Sequence, residues 1–437
     1  AITHYEYNKQ GEVVSIRNPL NGKTTLEYDT HGNLVKKRDA NNNTTRYSYT
    51  REQALKSRSN ALNQTSILNY DEKGRVKSYI NPNHQSTQYF YDKLDRVTST
   101  RDAINNELNY KYNNKAQLQA IIDPTKNQTQ YSYDKQGRVE QEALPNSKVV
   151  EKVYNKDHTL KTIIREDKSE INFKYNEFKK PIEIEVQDTS ATLSAGTSAT
   201  LSASTPTQKL NFQYNEVGRL SSATSTASTG SATIELFYNR VGEVNKEVQF
   251  NSLVVEKTQN VKSSTKTLKF LELNITIKND FKTQTKTITK NGKYPITIHY
   301  DKNGVETKTV YPNNLEEHYT FDANYNLINI KTGKTNLHYE YNVNGEITRK
   351  NSTAYKYDAI GRLTASTGSA TVAATFHYDK AGNNLNNGAK YKKETNQLLE
   401  NNHYFFTYDA RGNLQTKTNK VNKEETSYTF NTLNQLI

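Results

Sequence analysis

The chain has no cysteine, no methionine and no tryptophan in 437 residues. Without cysteine there can be no disulfide, no thiolate metal site and no cysteine nucleophile. An oxidising location stays open, because a long array of repeats does not need such staples. The absence of Met and Trp has no evident physical cause. Hydrophobic residues are scarce as well, at 33%, which is low for an ordinary globular core and approaches the composition of disordered chains. No apolar run reaches the ~20 residues that span a bilayer. Helix signals are missing: there is no sustained 3.6-residue period, there are few caps, and β-branched residues are many. No G-x-S-x-G, P-loop or other Gly-rich phosphate loop occurs. The nine histidines, His4, His31, His84, His158, His299, His318, His338, His377 and His403, show no H-x-x-x-H spacing, and His31 and His158 fall in turns. They read as structural or solvent-facing, so no catalytic, metal or cofactor site is expected.

Tyrosine is abundant: 31 Tyr accompany 13 Phe. Aromatic rings bury large areas, so a Tyr-rich chain can order itself with few aliphatic residues. The formal net charge is +13, from 59 Lys+Arg and 46 Asp+Glu. Lysine is interspersed with Thr, Asn and Glu and never forms a basic block. The charge therefore reads as a solvated, mixed surface, with no nucleic-acid footprint.

The tyrosines keep a register. Tyr7, Tyr28, Tyr49, Tyr70, Tyr91, Tyr112, Tyr133, Tyr154 and Tyr175 follow one another at steps of 21 residues. A period near 20 marks one supersecondary unit per repeat, stacked on its neighbours. In the stretch Tyr131–Val139 the unit reads as an aromatic strand, a turn of Asp134 to Gly137, and a return strand from Val139. Asp opens the turn by accepting local backbone hydrogen bonds. Gly supplies the positive φ that closes a type I turn with a bulge. A second turn recurs at Asn18-Pro19-Leu20-Asn21-Gly22, Asp39–Asn43, Asn81-Pro82-Asn83-His84 and Asp123-Pro124-Thr125-Lys126-Asn127. Each unit is thus expected to hold two short antiparallel strands and two turns. Stacked units would set Tyr beside Tyr in an aromatic ladder, with a second ladder of Leu34, Val76, Val97, Leu118, Val139 and Leu160. The sheet would be apolar on one face, or wetted on both with a thin aromatic seam.

Some units are degenerate: Tyr49–Gln53 lacks the Asp and the Gly, and Phe178-Lys179-Lys180-Pro181 replaces a turn's end. The positions singled out as structural are Tyr7; Tyr28, Asp29 and Gly32; Tyr70, Asp71 and Gly74; Tyr91; Tyr112; Tyr133, Asp134 and Gly137; Tyr154; and Tyr175. The later copies add Tyr214 and Gly218, Tyr238 and Gly242, Tyr300, Tyr341 and Gly345. They continue with Tyr357, Asp358 and Gly361, with Tyr378 and Gly382, and with Tyr408, Asp409 and Gly412. One continuous array over 1–437 is expected, with regular repeats in 1–187, degenerate ones in 188–299 and regular ones again in 300–437. Ser/Thr/Ala-rich stretches at Thr189–Pro206, Ser221–Thr233 and Thr364–Thr375 read as hairpin extensions or loops, or as an O-glycosylated patch. Thr283, Thr285, Thr287 and Thr289 alternate as in a strand. The chain starts just ahead of a repeat and ends inside one, as expected of a piece of a longer chain.

The Tyr-Asp-x-x-Gly-Arg/Asn-Leu/Val motif at this period resembles the YD repeats of Rhs proteins. Related arrays occur in the BC components of bacterial Tc toxins and in animal teneurins. The resemblance covers essentially the whole chain. It implies an all-β fold: an antiparallel ribbon spiralling into a hollow shell or tube that holds a C-terminal toxic polypeptide, released after self-cleavage. The family's self-cleaving Asp-Pro motif lies beyond the last repeats and is not matched. Asp123-Pro124 sits in an ordinary turn, so only the shell carries over. The expectation is a secreted or cell-surface, non-catalytic shell segment with a polypeptide toxin as cargo. The alternative is an adhesive extracellular polymer that contacts a cell-surface glycan or protein, or associates end to end. Calcium at the recurring Asp is disfavoured, because each turn supplies one carboxylate and Asn often replaces it (Asn8, Asn113, Asn155).

Overall fold

The computed structural model describes residues 2–187, 207–227, 230–249, 253–260, 265–368, 371–431 and 434–436. The Thr189–Pro206 stretch lies outside them. The described residues form 40 strands and one 3-10 turn, Asn386–Gly388, and contain no α-helix. Among the described residues every strand pairing is antiparallel and joins neighbours in sequence, as in Tyr131 opposite Glu142 and then Glu142 opposite Val150.

The 21-residue period has a simple origin. A six-residue outgoing strand, Gln128–Tyr133, is followed by a five-residue turn, a five-residue return strand, Val139–Ala143, and a second five-residue turn. Both turns use the same bonds. Asp134 N donates to Arg138 O and Gly137 N to Asp134 O; Leu144 N donates to Lys148 O and Ser147 N to Leu144 O. The register shifts by one residue at Ser132/Tyr133, the bulge that such a turn leaves behind.

Glycine is not required at the left-handed position. Gly137 holds φ 83, yet Gln53, His84, Ala116, Lys126 and Lys179 stand at the equivalent place with φ between 57 and 71. The degenerate turns close by the same bonds: Gln53 N to Thr50 O, and Lys179 N to Asn176 O. In the turn Asn18–Gly22 the left-handed residue is Asn21, φ 63, and not Gly22.

Two compact units divide the chain. One comprises Ala1–Asn106 and Lys257–Phe376; the other comprises Glu107–Glu256 and His377–Ile437. In the first, ten consecutive strands from His4–Tyr7 to Val97–Arg101 form one run, and the strands from Thr265–Phe270 to Thr371–Thr375 form another. In the second, the runs extend from Glu107–Tyr112 to Val244–Gln249 and from Lys390–Tyr391 to Glu425–Ser427.

The described residues of the Ser221–Thr233 stretch lie in two paired strands, with Ser222 opposite Glu235 and Ala227 opposite Gly230. Thr364–Thr375 contributes to the paired strands Leu363–Gly368 and Thr371–Thr375. The Thr alternation begins one step later than expected. The strand is Thr285–Lys290, and Thr283 belongs to the preceding turn, where its amide donates to Asp280 Oδ1 at 3.1 Å.

Neither unit has a layered core. Among the described residues only Ala120 and Val186 are buried apolar residues, while Ser15, Ser99, Thr162, Ser169 and Thr309 are buried polar ones. Ser15, Ser99, Ala120 and Thr162 are the third residues of return strands. Ala120 lies between Lys111 and Gln130 in register. The rings of Tyr131 and Tyr133 are half-buried and Gln130 and Ser132 are exposed. The sheet is therefore wetted on both faces around a thin aromatic seam.

Candidate functional site: the tyrosine tether and the turn seams

The expected ring-on-ring ladder is not what holds the repeats together. Among the described residues, ring pairs occur only at His403–Tyr404 and Tyr404–Phe406. Tyrosines of successive repeats lie two strands apart, about 10 Å, beyond the 4.5–7 Å of a ring pair. In most copies the ring instead reaches back to the start of the adjacent return strand. Tyr28 donates its hydroxyl to Val13 O at 2.9 Å, Tyr70 to Leu55 O at 2.7 Å, Tyr91 to Val76 O at 2.7 Å and Tyr133 to Leu118 O at 2.6 Å. Tyr154 reaches Val139 O, and the later copies Tyr214, Tyr238, Tyr341, Tyr357 and Tyr408 reach Pro181, Leu220, Leu327, Ile347 and Leu398. The residue that opens the return strand, most often Leu or Val, thus contributes a carbonyl. Burial of Tyr91, Tyr341 and Tyr357 pushes their hydroxyls above the ordinary tyrosine range and keeps them as donors.

The motif's Asp is consumed by its own turn. Asp134 Oδ1 accepts from Gln136 N at 2.9 Å and Arg138 N at 3.0 Å, and Oδ2 receives Arg138 Nε at 2.7 Å. Asp71 and Asp92 repeat this with Arg75 and Arg96. Those guanidinium bonds hold both carboxyls below the usual carboxylate range. Where Asn replaces Arg, Asn33 Nδ2 still donates to Asp29 Oδ2 at 3.1 Å. The arginine does a second job that sequence reasoning missed. Arg75 lies 4.4 Å above the Tyr91 ring and Arg138 4.3 Å above Tyr154. The recurrence of Arg five residues after the Tyr was the available signal. Asp123 of the Asp-Pro pair is likewise a turn former, accepting from Thr125 N and Asn127 N at 2.8 Å. No group of three or more His, Cys, Asp or Glu that could hold a metal is found among the described residues.

Each unit also has a seam, where the second turns of the early run meet the turns of the late run. In the first unit Asn18 Nδ2 donates to Lys302 O at 2.7 Å, and Asn41 Nδ2 to Asp301 Oδ2 at 2.6 Å. Tyr325 donates its hydroxyl to Asp39 Oδ2 at 2.6 Å, Asn324 Nδ2 to Gln64 Oε1 at 2.9 Å, and Asn344 Nδ2 to Gln85 Oε1 at 3.1 Å. Gly22 is needed here for proximity, since a Cβ would overlap the carbonyl oxygen of Lys302. In the second unit Asn127 Nδ2 donates to Lys393 O at 2.6 Å and Lys148 Nζ to Ala410 O at 2.5 Å. There Arg411 Nε lies 3.3 Å from Asp167 Oδ2. None of these partners, some 244 to 286 residues apart, was visible in the repeat.

The family model described as Teneurin YD-shell matches residues 1–353. The chain belongs to the teneurin YD-shell family. It is a shell-forming repeat protein, all-β and antiparallel throughout. Solved YD-shell structures share the fold. The crystal structures of TcdB2-TccC3-Cdc42 and of TcdB2-TccC3 each show 14% identity and a TM-score of 0.56, and each covers 99% of this chain. The Photorhabdus luminescens Tc holotoxin pore shows 13% identity with the same score over 98% of this chain. This YD-shell chain spans only 27–28% of the length of those chains. No curated protein matches it. No helix among the described residues is long and apolar enough to cross a membrane.

Proposed function

We propose that this chain is a wall segment of a secreted or cell-surface, non-catalytic shell that encloses a polypeptide toxin. The observation that carries the reading is the pairing of tethered repeats with turn seams. Tyr hydroxyls fasten most repeats to the one before, and second turns fasten each late run to the early run of its unit. A wall so built is wetted on both faces, as an enclosure with an aqueous lumen requires. The recurring Asp carboxylates are spent on their own turns. The arrangement performs no chemistry; it supplies a surface that separates two aqueous spaces. The test is limited proteolysis of the protein expressed from its complete gene. A fragment outside the repeats that survives protease until the wall is unfolded supports enclosure. Digestion of that fragment at its free rate contradicts it.

One observation favours a second reading, in which the ribbon contacts a cell-surface partner. Successive turns of the second unit present Phe178, Val217 and Val241 at 72%, 73% and 78% exposure. Single exposed apolar residues need no explanation, but three in a row do. Loss of cell binding on changing all three to Ser, with the wall intact, would support that role.

A further inference from the structure

We propose that the wall opens along its seams, and that the seam of the first unit is a built-in line of separation. This goes beyond the enclosure of a cargo and holds whether or not one is present.

Strands within a run are joined by backbone ladders; Thr25 to Tyr28, for example, pair with Arg38 to Leu34. Among the described residues no backbone-to-backbone hydrogen bond spans the seam of the first unit. Its bonds come from side chains, those of Asn18, Asn41, Gln284, Asn303, Asn324, Tyr325 and Asn344 among them. A single backbone amide contributes across it, Ala40 N donating to Asn303 Oδ1 at 3.1 Å. Water offers amide side chains equivalent partners, so opening trades like for like. A ladder does not separate bond by bond in this way, because its bonds are cooperative with strand geometry.

Two further features sit at the same place. Asn344 Oδ1 is buried and accepts no hydrogen bond from the protein, so closing the seam leaves one acceptor unsatisfied. Beside it lies a cavity of about 340 Å³ lined by Asn344, Gln85, Ala103 and Ile360 among others. The seam is thus imperfectly packed at its end, where separation would start. Lys302 O packs so close to Gly22 that a methyl group there would act as a wedge.

The absence of cysteine makes the test clean. In the full chain, the variant N41C/D301C carries one thiol on each side of the seam. A short bifunctional thiol reagent joins them. Amide exchange at Ala40 is then followed against exchange at Lys37, which is paired in the adjacent ladder. In the wild type, where the Asn41–Asp301 bond is intact, Ala40 is expected to exchange at least tenfold faster than Lys37 and with little dependence on urea. With the linker, Ala40 slows at least tenfold and Lys37 is unchanged. Gly22→Ala, which needs no linker, should speed Ala40 exchange and leave the Lys37 ladder as it was. Equal exchange of the two amides with equal urea dependence overturns the proposal. So does an Ala40 rate that neither the formed cross-link nor Gly22→Ala alters.

Discussion

The hydroxyl of Tyr154 donates to the carbonyl oxygen of Val139 at 3.0 Å, while Arg138 covers the same ring at 4.3 Å. Tyr154→Phe keeps the ring and removes only the tether. Its expected cost is about 0.5–1.5 kcal/mol, the net worth of one hydrogen bond. Urea unfolding should show a lower midpoint at unchanged slope, and exchange should quicken first at the strand Val139–Ala143. Arg138→Lys should cost a similar amount, because an ammonium cannot both pair with Asp134 through two nitrogens and lie flat on the ring.

Turn closure predicts opposite signs at two equivalent positions. Gly74 holds φ 78 with open space where a Cβ would go, so Gly74→Ala costs only the left-handed strain, about 1–2 kcal/mol. Gln53 already bears that strain at φ 64, and Gln53→Gly should raise stability by up to about 1 kcal/mol. Thermal melts of the two single variants decide this.

Arg411 and Asp167 form the buried clasp of the second unit's seam, with side chains 12% and 1% exposed. Arg411→Ala leaves a carboxylate buried without its ion-pair partner. The expected loss is about 3–5 kcal/mol, with a smaller loss when Arg411→Met is combined with Asp167→Asn, which keeps an oxygen to accept from Ser169 N and Oγ. Equal losses in the single and double variants, measured by denaturant unfolding, would show that the pair contributes nothing as a pair.

Acid should loosen the second unit through Glu400. Hydrogen bonds from Lys390 and Lys420 hold its carboxyl at about 2, against an ordinary 4.5. A carboxyl whose folded-state value is depressed stabilises the fold above the unfolded value and loses that contribution as pH falls through the folded one. The melting-temperature gap between wild type and Glu400→Gln should therefore be constant above pH 5. It should shrink between about pH 4.5 and pH 2. A gap independent of pH over that range would show that Glu400 does not drive the acid loosening.

How much was legible in the sequence follows from how local each device is. The turn at Asp134–Arg138 is closed within five residues, so Asp, Gly and the 21-residue step announced it. The left-handed Gln53 and Lys179 escaped notice because a turn that is closed by its neighbours tolerates them. The tether of Tyr154 to Val139 was read as a ring ladder, since spacing tells which residues share a face and not where a hydroxyl points. The stacking of Arg138 was readable from recurrence and went unread. The seam contacts of Asn41 with Asp301 and of Asp167 with Arg411 were not legible at all. Asn and Asp are common turn residues, and nothing in a single chain marks which copies meet some 250 residues apart.

If tethered repeats and seams make a closed wall around water, electron microscopy of the purified protein from its complete gene should show curved, closed particles with a shell of protein density around a solvent-density lumen. Extended filaments, or solid particles with density at the centre in the absence of any enclosed chain, would contradict it.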